Sequence, residues 1–202
     1  MAKKLESTFI NMVIVLTTVS LIAAYALASV FNVTKEPIEQ AALKKKLDAI
    51  AKVAPAFDND PNADMFKLVA FEAAAGLDSL EVYPAKSAGK LVGYAVKSYT
   101  MKGFSGYIEV MIGFEKDGTI KGYSVLKHAE TPGLGSKMPT WFSNEAKPSH
   151  CIIGKNPNNT KIQVSKDGGD IDAITAATIS SRAFLDAIKR GYETLKQGGK
   201  YE

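Results

Sequence analysis

Residues 107–128, YIEVMIGFEKDGTIKGYSVLKH, decide how this chain folds. Ile108, Val110, Ile112 and Phe114 alternate with other positions, so they share one face of a strand, the period of two that a pleated backbone imposes. Lys116-Asp117-Gly118-Thr119 then supplies a hairpin turn, with Gly118 accepting the positive φ. A second β-branched and aromatic run, residues 120–128, returns antiparallel. Working outward, LEVYPA at 80–85 and LVGYAVKSYT at 91–100 carry the same enrichment, and the middle of the chain reads as an antiparallel meander. KIQVS at 161–165 predicts a further short strand before Gly168-Gly169. The last twenty residues predict a helix that buries Phe184, Ile188, Tyr192 and Leu195. A run of strands flanked by helices is an α+β arrangement.

Toward the N-terminus the pattern is different. Residues 9–31, FINMVIVLTTVSLIAAYALASVF, carry no charge and match the roughly 20 residues a helix needs to cross a bilayer. We read this run as a retained membrane anchor. Its rival is a cleaved signal peptide, since Lys3 and Lys4 precede it and Ala26-Leu27-Ala28 resembles a cleavage site. Thr34 is placed to cap a second, amphipathic helix over residues 35–54, with Pro37 in its first turn and Pro55 as its stop. Lys44, Lys45 and Lys46 would form a solvated face of that connector. Residues 56–78 are mixed and turn-rich, with FDNDPNAD at 57–64 as a loop. The division is therefore a stub and membrane helix at 1–33, a connector at 34–55 and a folded domain at 56–202.

Composition excludes several classes. Of 202 residues 46% are hydrophobic, enough for one real core, and the net charge of +4 is scattered without a nucleic-acid footprint. The single cysteine, Cys151, has no internal disulfide partner and reads as a small buried hydrophobe. Lysines near the apolar run, counted alone, favour a cytoplasmic body, although long translocated domains disregard that count.

Two stretches carry chemistry. HAETPGLGSKM at 128–138 holds a Pro132-Gly133 turn and a flexible backbone able to lie close to a planar ligand. His128 beside Glu130 has no ligand spacing to His150, so no metal site follows. DIDAITAATISSRAF at 170–184 crowds Thr175, Thr178, Ser180 and Ser181 at a helix entrance. One hydroxyl suffices for a cap. A helix N-terminus bordered by the small Ala176 and Ala177 also suits a phosphate.

Asp172-x-x-Thr175-Ala176-Ala177-Thr178 resembles the D-x-x-[ST]-G-A-T motif of the FMN-binding domain family found in the Rnf and Nqr respiratory complexes, and Glu130 to Gly135, ETPGLG, resembles that family's second signature. The resemblance spans essentially the whole chain, whose length is more like the G subunit of Rnf than the longer C subunit of Nqr. Ala176 stands where the motif usually has Gly. A positive φ there would cost alanine about 1 kcal/mol.

The resemblance implies FMN esterified through its phosphate to Thr178 by a flavin transferase. Thr175 and the backbone of Ala176 and Ala177 would hold the phosphate, and Glu130, Thr131, Gly133 and Leu134 would border the isoalloxazine ring. Arg182 is a candidate phosphate partner or a solvated side chain, and Trp141 a ring cover or a core residue. The implied function is an electron-carrying subunit of a ferredoxin:NAD oxidoreductase coupled to Na⁺ or H⁺ transport. Its partners would be other subunits of a membrane redox complex, with the domain on the extracytoplasmic side of the inner membrane. The corresponding Nqr subunit and a non-redox assembly module of the same fold are the alternatives.

Overall fold

The computed structural model describes residues 8–74 and 76–200. Helix α1 (Phe9–Val53) is followed by five strands, β1 (Phe66–Ala74), β2 (Leu77–Ser87), β3 (Lys90–Gly103), β4 (Gly106–Glu115) and β5 (Ile120–Lys127). A short α2 (Met138–Trp141) and a long α3 (Thr178–Gln197) complete the chain. All strands pair antiparallel with their sequence neighbours in the order β1-β2-β3-β4-β5, the meander the sequence predicts. At the β4–β5 turn Gly118 takes φ 87°, and Thr119 donates its N–H to Asp117 Oδ1 at 2.9 Å. The expected α+β class holds.

Alternation sorts the side chains of the sheet between two cores. Ile108, Val110, Ile112 and Phe114 are fully buried on one face beneath Phe184, Ile188, Tyr192 and Leu195 of α3. The opposite face buries Tyr83, Ala85, Ala95 and Met111 with Ala49, Ile50, Val53 and Ala54. Gly113 allows that second contact, because a Cβ there would lie 1.8 Å from the Val53 carbonyl oxygen. Polar bonds fix α3 on the first face. Ser98 Oγ donates to the Ala187 carbonyl at 2.7 Å, and the buried Arg190 donates to the carbonyls of Phe71 and Tyr99 at 3.0 and 2.7 Å. Those bonds oppose desolvation of a charged group, which would otherwise be strongly unfavourable.

Three sequence expectations need correction. Thr34 caps no helix. Helix α1 runs unbroken through Pro37, and Thr34 Oγ1 donates back to the Val30 carbonyl at 2.8 Å, the interior-helix alternative to capping. Residues 66–74, read as part of a turn-rich segment, form the edge strand β1. KIQVS forms no strand. Its backbone folds onto its own continuation, with Asp170 N–H donating to Lys161 O and Ile171 N–H to Gln163 O, which leaves one parallel bridge between Val164 and Ile171.

Helix α1 is long and apolar enough to span a membrane by length and composition. The chain divides into two units at Lys44/Lys45. Lys3 and Lys4 lie outside the described residues. Cys151 is buried and free, as its composition suggests.

Candidate functional site

The entrance to α3 is set by a backbone that alanine does not favour. Ala176 has φ 60°, the left-handed region, and Ala177 is the N-cap with no side-chain cap bond. The turn is held from inside. Ser181, fully buried, donates its hydroxyl to Ala177 O at 3.0 Å and accepts the Ile174 N–H at 2.9 Å. Neither Thr175 nor Thr178 serves as the cap, since both helix-start roles are met by Ala177 backbone and Ser181 side chain. The N–H groups of Thr178, Ile179 and Ser180 precede the first full helical bond, which runs from Ser181 N–H to Ala177 O. They give this end of α3 its partial positive charge.

The second signature reaches this entrance through one carboxylate. Glu130 is 4% exposed, and its two oxygens serve different elements. Oε2 accepts the Ser180 hydroxyl, and Oε1 accepts the Ser105 N–H at 3.0 Å in the β3–β4 turn. The joint is packed without slack. A Cβ on Gly135 would lie 2.4 Å from Ser180 Oγ and 2.8 Å from Glu130 Oε2, and one on Gly103 would lie 2.6 Å from Glu130 Oε1. The Glu130 N–H donates to His128 Nδ1 at 3.2 Å, which gives that pair a local structural job. Gly133, at φ 76°, donates its N–H to Ser136 Oγ at 2.9 Å and turns the loop back.

Together these three elements enclose a cleft of about 560 Å³ lined by Phe104, Thr131, Leu134, Gly135 and residues 176–180. Its volume lies within the usual range for small-molecule sites. Of the residues the sequence singles out, Thr131, Leu134, Ala176, Ala177, Thr178 and Ser180 line it. Glu130 lies behind the wall, and Thr175 and Gly133 are exposed beside it. Sequence reasoning assigned no role to Phe104, Gly135 or Ile179 here. Gly135 was visible as the second glycine of the signature. Phe104 stands alone between Gly103 and Gly106 in a turn, and no periodicity marks it.

Charged groups are paired around the rim. Arg182 donates Nε and Nη2 to Asp167 at 2.7 Å each, and this fork holds the Asp167 carboxyl below its ordinary range. The guanidinium is thus partnered by a carboxylate. Asp172 is also held low, by hydrogen bonds from Ser149 and then Ser165. Trp141 is outside the cleft: it stacks on His150 at 4.2 Å between ring centroids and donates Nε1–H to Asp172 O at 3.1 Å. It packs against the main core and braces the Asp172 loop, which fits the core role of its two sequence readings. Across Ile179, a second hollow of about 460 Å³ is bordered by Lys102, Asp167, Arg182, Asp186 and Lys189.

Residues 103–193 match the family model of the FMN-binding domain. That segment contains every residue lining the first cleft. The chain is similar to the G subunit of the ion-translocating oxidoreductase complex of Shewanella amazonensis, 30% identical over 188 residues, which covers 92% of this chain and 87% of that protein. The G subunit of the same complex in Cronobacter sakazakii is 35% identical over 166 residues, covering 81% and 78%. Its counterpart in Cereibacter sphaeroides is 35% identical over 178 residues, covering 85% and 77%.

Proposed function

The chain belongs to the family of G subunits of ion-translocating oxidoreductase complexes, FMN-bearing electron carriers, and we propose that Thr178 carries its FMN covalently. The observation that supports this is the allocation of hydroxyls at the α3 entrance. Ser180 gives its hydroxyl to Glu130 and Ser181 gives its own to Ala177, both inside the fold. Thr178 lines the cleft, half-buried, at the first position of the helix.

The cleft fits the cofactor. FMN has a phosphate at one end and a planar, mostly apolar ring at the other. Small Ala176 and Ala177 with the free N–H groups of α3 suit the phosphate, and Phe104, Leu134 and Ile179 suit the ring. Bound FMN supplies reversible electron transfer at a potential the protein tunes. Thr178 would retain it, Thr175 and the backbone of Ala176 and Ala177 would orient the phosphate, and Thr131 and Leu134 would border the ring. The helix N-terminus contributes only about 0.3–1 kcal/mol to a monoanionic phosphodiester. Retention therefore rests on the covalent bond. Thr178 would supply the ester oxygen, its Oγ1 giving up a proton, and the group previously esterified to the phosphate would leave. A flavin transferase would catalyse the exchange.

The domain is proposed to lie outside the cytoplasmic membrane, with α1 as the anchor and Na⁺ or H⁺ as the coupling ion of the complex. Lysines near the anchor (Lys35 and Lys44 to Lys46) are weak counter-evidence, because two of the triplet are engaged with the folded domain. Lys45 Nζ donates to Leu126 O, and Lys46 lies 5.5 Å above the Tyr83 ring centroid.

Denaturing electrophoresis tests the covalent reading: the band should fluoresce as flavin, and peptide mapping should put a mass of FMN less one water on Thr178. An adduct on Ser180, Ser181 or Thr175 would overturn the assignment. Protease added to intact spheroplasts should digest the domain. Complete protection until lysis would reverse the topology.

A further inference from the structure

An aromatic ring on a tight turn is an unusual thing to leave in water. Phe104 is 67% exposed at the tip between β3 and β4, yet the backbone that carries it is closely held. Gly103 pairs with Gly106, and a Cβ on Gly103 would lie 2.4 Å from the Gly106 carbonyl oxygen. Ser105 N–H is fixed on Glu130 at 3.0 Å. Gly106 takes φ 91°, which closes the turn in a conformation open to glycine.

The turn thus presents one large apolar side chain from a rigid mount, and that side chain lines the same cleft as Thr178 and Leu134. Glu130 holds both the Phe104 turn and the first turn of α3, so the aromatic group and the hydroxyl are positioned by a single carboxylate. Leu134 and Ile179, 38% and 49% exposed, complete an apolar surface beside it. Among the described residues, Phe104, Leu134 and Ile179 form the apolar part of this wall, beside the hydroxyl-bearing Thr131 and Thr178. A planar, apolar-faced group is what such a surface accommodates, because aromatic stacking and area burial reinforce each other.

We propose that Phe104 is the aromatic residue that packs against the isoalloxazine ring, a contact that rests on the flavin reading above. Leu134 and Ile179 border the same ring, and Glu130 acts as a positioning residue that sets the distance between ring site and attachment site without touching the cofactor.

The test uses the full-length chain in its native membrane, matured with flavin, in three forms: Phe104→Ala, Phe104→Leu and Phe104→Trp. Each should keep the flavin adduct by mass. Phe104→Trp should quench flavin fluorescence several-fold, since indole in van der Waals contact donates an electron to excited flavin, whereas Val69→Trp, on the exposed edge strand, should not. Phe104→Ala should raise collisional quenching by iodide several-fold and lower the flavin's fluorescence anisotropy, and Phe104→Leu should fall between. Equal quenching by Phe104→Trp and Val69→Trp, or unchanged iodide access in Phe104→Ala with its adduct intact, would overturn the proposal. So would a Phe104→Ala protein with native flavin spectra that no longer assembles with its redox complex, which would make Phe104 a subunit contact. If the wild-type chain carries no adduct, the covalent reading fails. The same variants titrated with free FMN then test the ring contact independently.

Discussion

The hydroxyl of Ser180 donates to the carboxylate of Glu130, fifty residues earlier in the chain, across the base of the cleft. The same carboxyl group accepts the Ser105 N–H, so three separate segments meet at one buried side chain. Replacing Glu130 by Ala leaves the buried Ser180 hydroxyl without its acceptor, at about 1–3 kcal/mol, while the part-buried Ser105 N–H loses its bond at a smaller cost because water can replace it. Glu130→Ala should therefore lower the urea midpoint clearly, and Ser180→Ala should lower it less, since Glu130 keeps the Ser105 bond. A double-mutant cycle should give a coupling of roughly 0.5–3 kcal/mol. Additive effects would show that the two residues do not act together.

Ala176 at φ 60° predicts the unusual result that a glycine stabilises a folded protein. Left-handed backbone costs an L-residue roughly 1–2 kcal/mol, and glycine avoids that at the expense of some unfolded-state entropy. Ala176→Gly should gain about 0.5–1 kcal/mol in denaturant unfolding. Ala176→Val, β-branched, should lose more than that. A destabilised Ala176→Gly would mean that the turn has another φ in solution.

Thr178→Ala should abolish the flavin adduct while changing stability by no more than about 0.5 kcal/mol, as expected of a site outside the core. No side chain caps α3, so the usual cost of losing a capping hydroxyl does not arise. Thr178→Ser keeps a hydroxyl at the same position and should recover part of the attachment. A Thr178→Ala chain that still carries covalent flavin would remove Thr178 from its proposed role.

How much of this was legible in the sequence depended on where each residue finds its partners. The β4–β5 hairpin announced itself because alternation and turn chemistry are local. Helix α3 did so because its apolar face repeats at helical spacing. Strand β1 did not, since it lies at an edge, exposes Val69, bends at Glu72 with φ 49°, and receives polar support at Phe71 from Arg190 and Thr194 far along the chain. KIQVS showed true alternation, with Ile162 and Val164 both buried, but its backbone bonds go to residues 170 and 171. At the cleft, the small and hydroxyl residues of the motif were visible, and the three-way joint at Glu130 was not. Long-range hydrogen bonds leave no periodic trace.

The fork between Arg182 and Asp167 makes a pH prediction. Hydrogen bonding to Arg182 depresses the folded-state pKa of Asp167, so the contribution is present above the ordinary carboxylate value of about 3.9 and is lost as pH falls through the lower folded value. Urea midpoints of the wild-type chain should decline over that acid window more steeply than those of Asp167→Asn, and the two should run parallel at neutral pH. The effect should be shallow and weaken with salt, because the pair is solvent-exposed. Superimposable acid limbs would show that the pair contributes nothing.

The last prediction concerns where the folded domain begins. Ala49, Ile50, Val53 and Ala54 are buried against Tyr83, Ala85, Ala95 and Met111, which makes the end of α1 part of the sheet's second core. Burying a side chain the size of Ile or Val is worth about 1.5–3 kcal/mol, so Ile50 and Val53 together contribute roughly 3–6 kcal/mol. That is comparable with the whole stability of many domains. Removing residues 1–33 and exporting the rest behind a cleavable signal should leave this core intact, giving a soluble chain that accepts flavin. Removing residues 1–54 deletes the covering turns and exposes Met111 and the Tyr83 ring on the open sheet face, and should give an aggregating product with little or no flavin. Hydrogen exchange on the shorter deletion should show residues 49–53 protected to nearly the same degree as β4. If the two truncated proteins prove equally soluble and equally stable, the end of α1 is dispensable and the domain begins at the sheet.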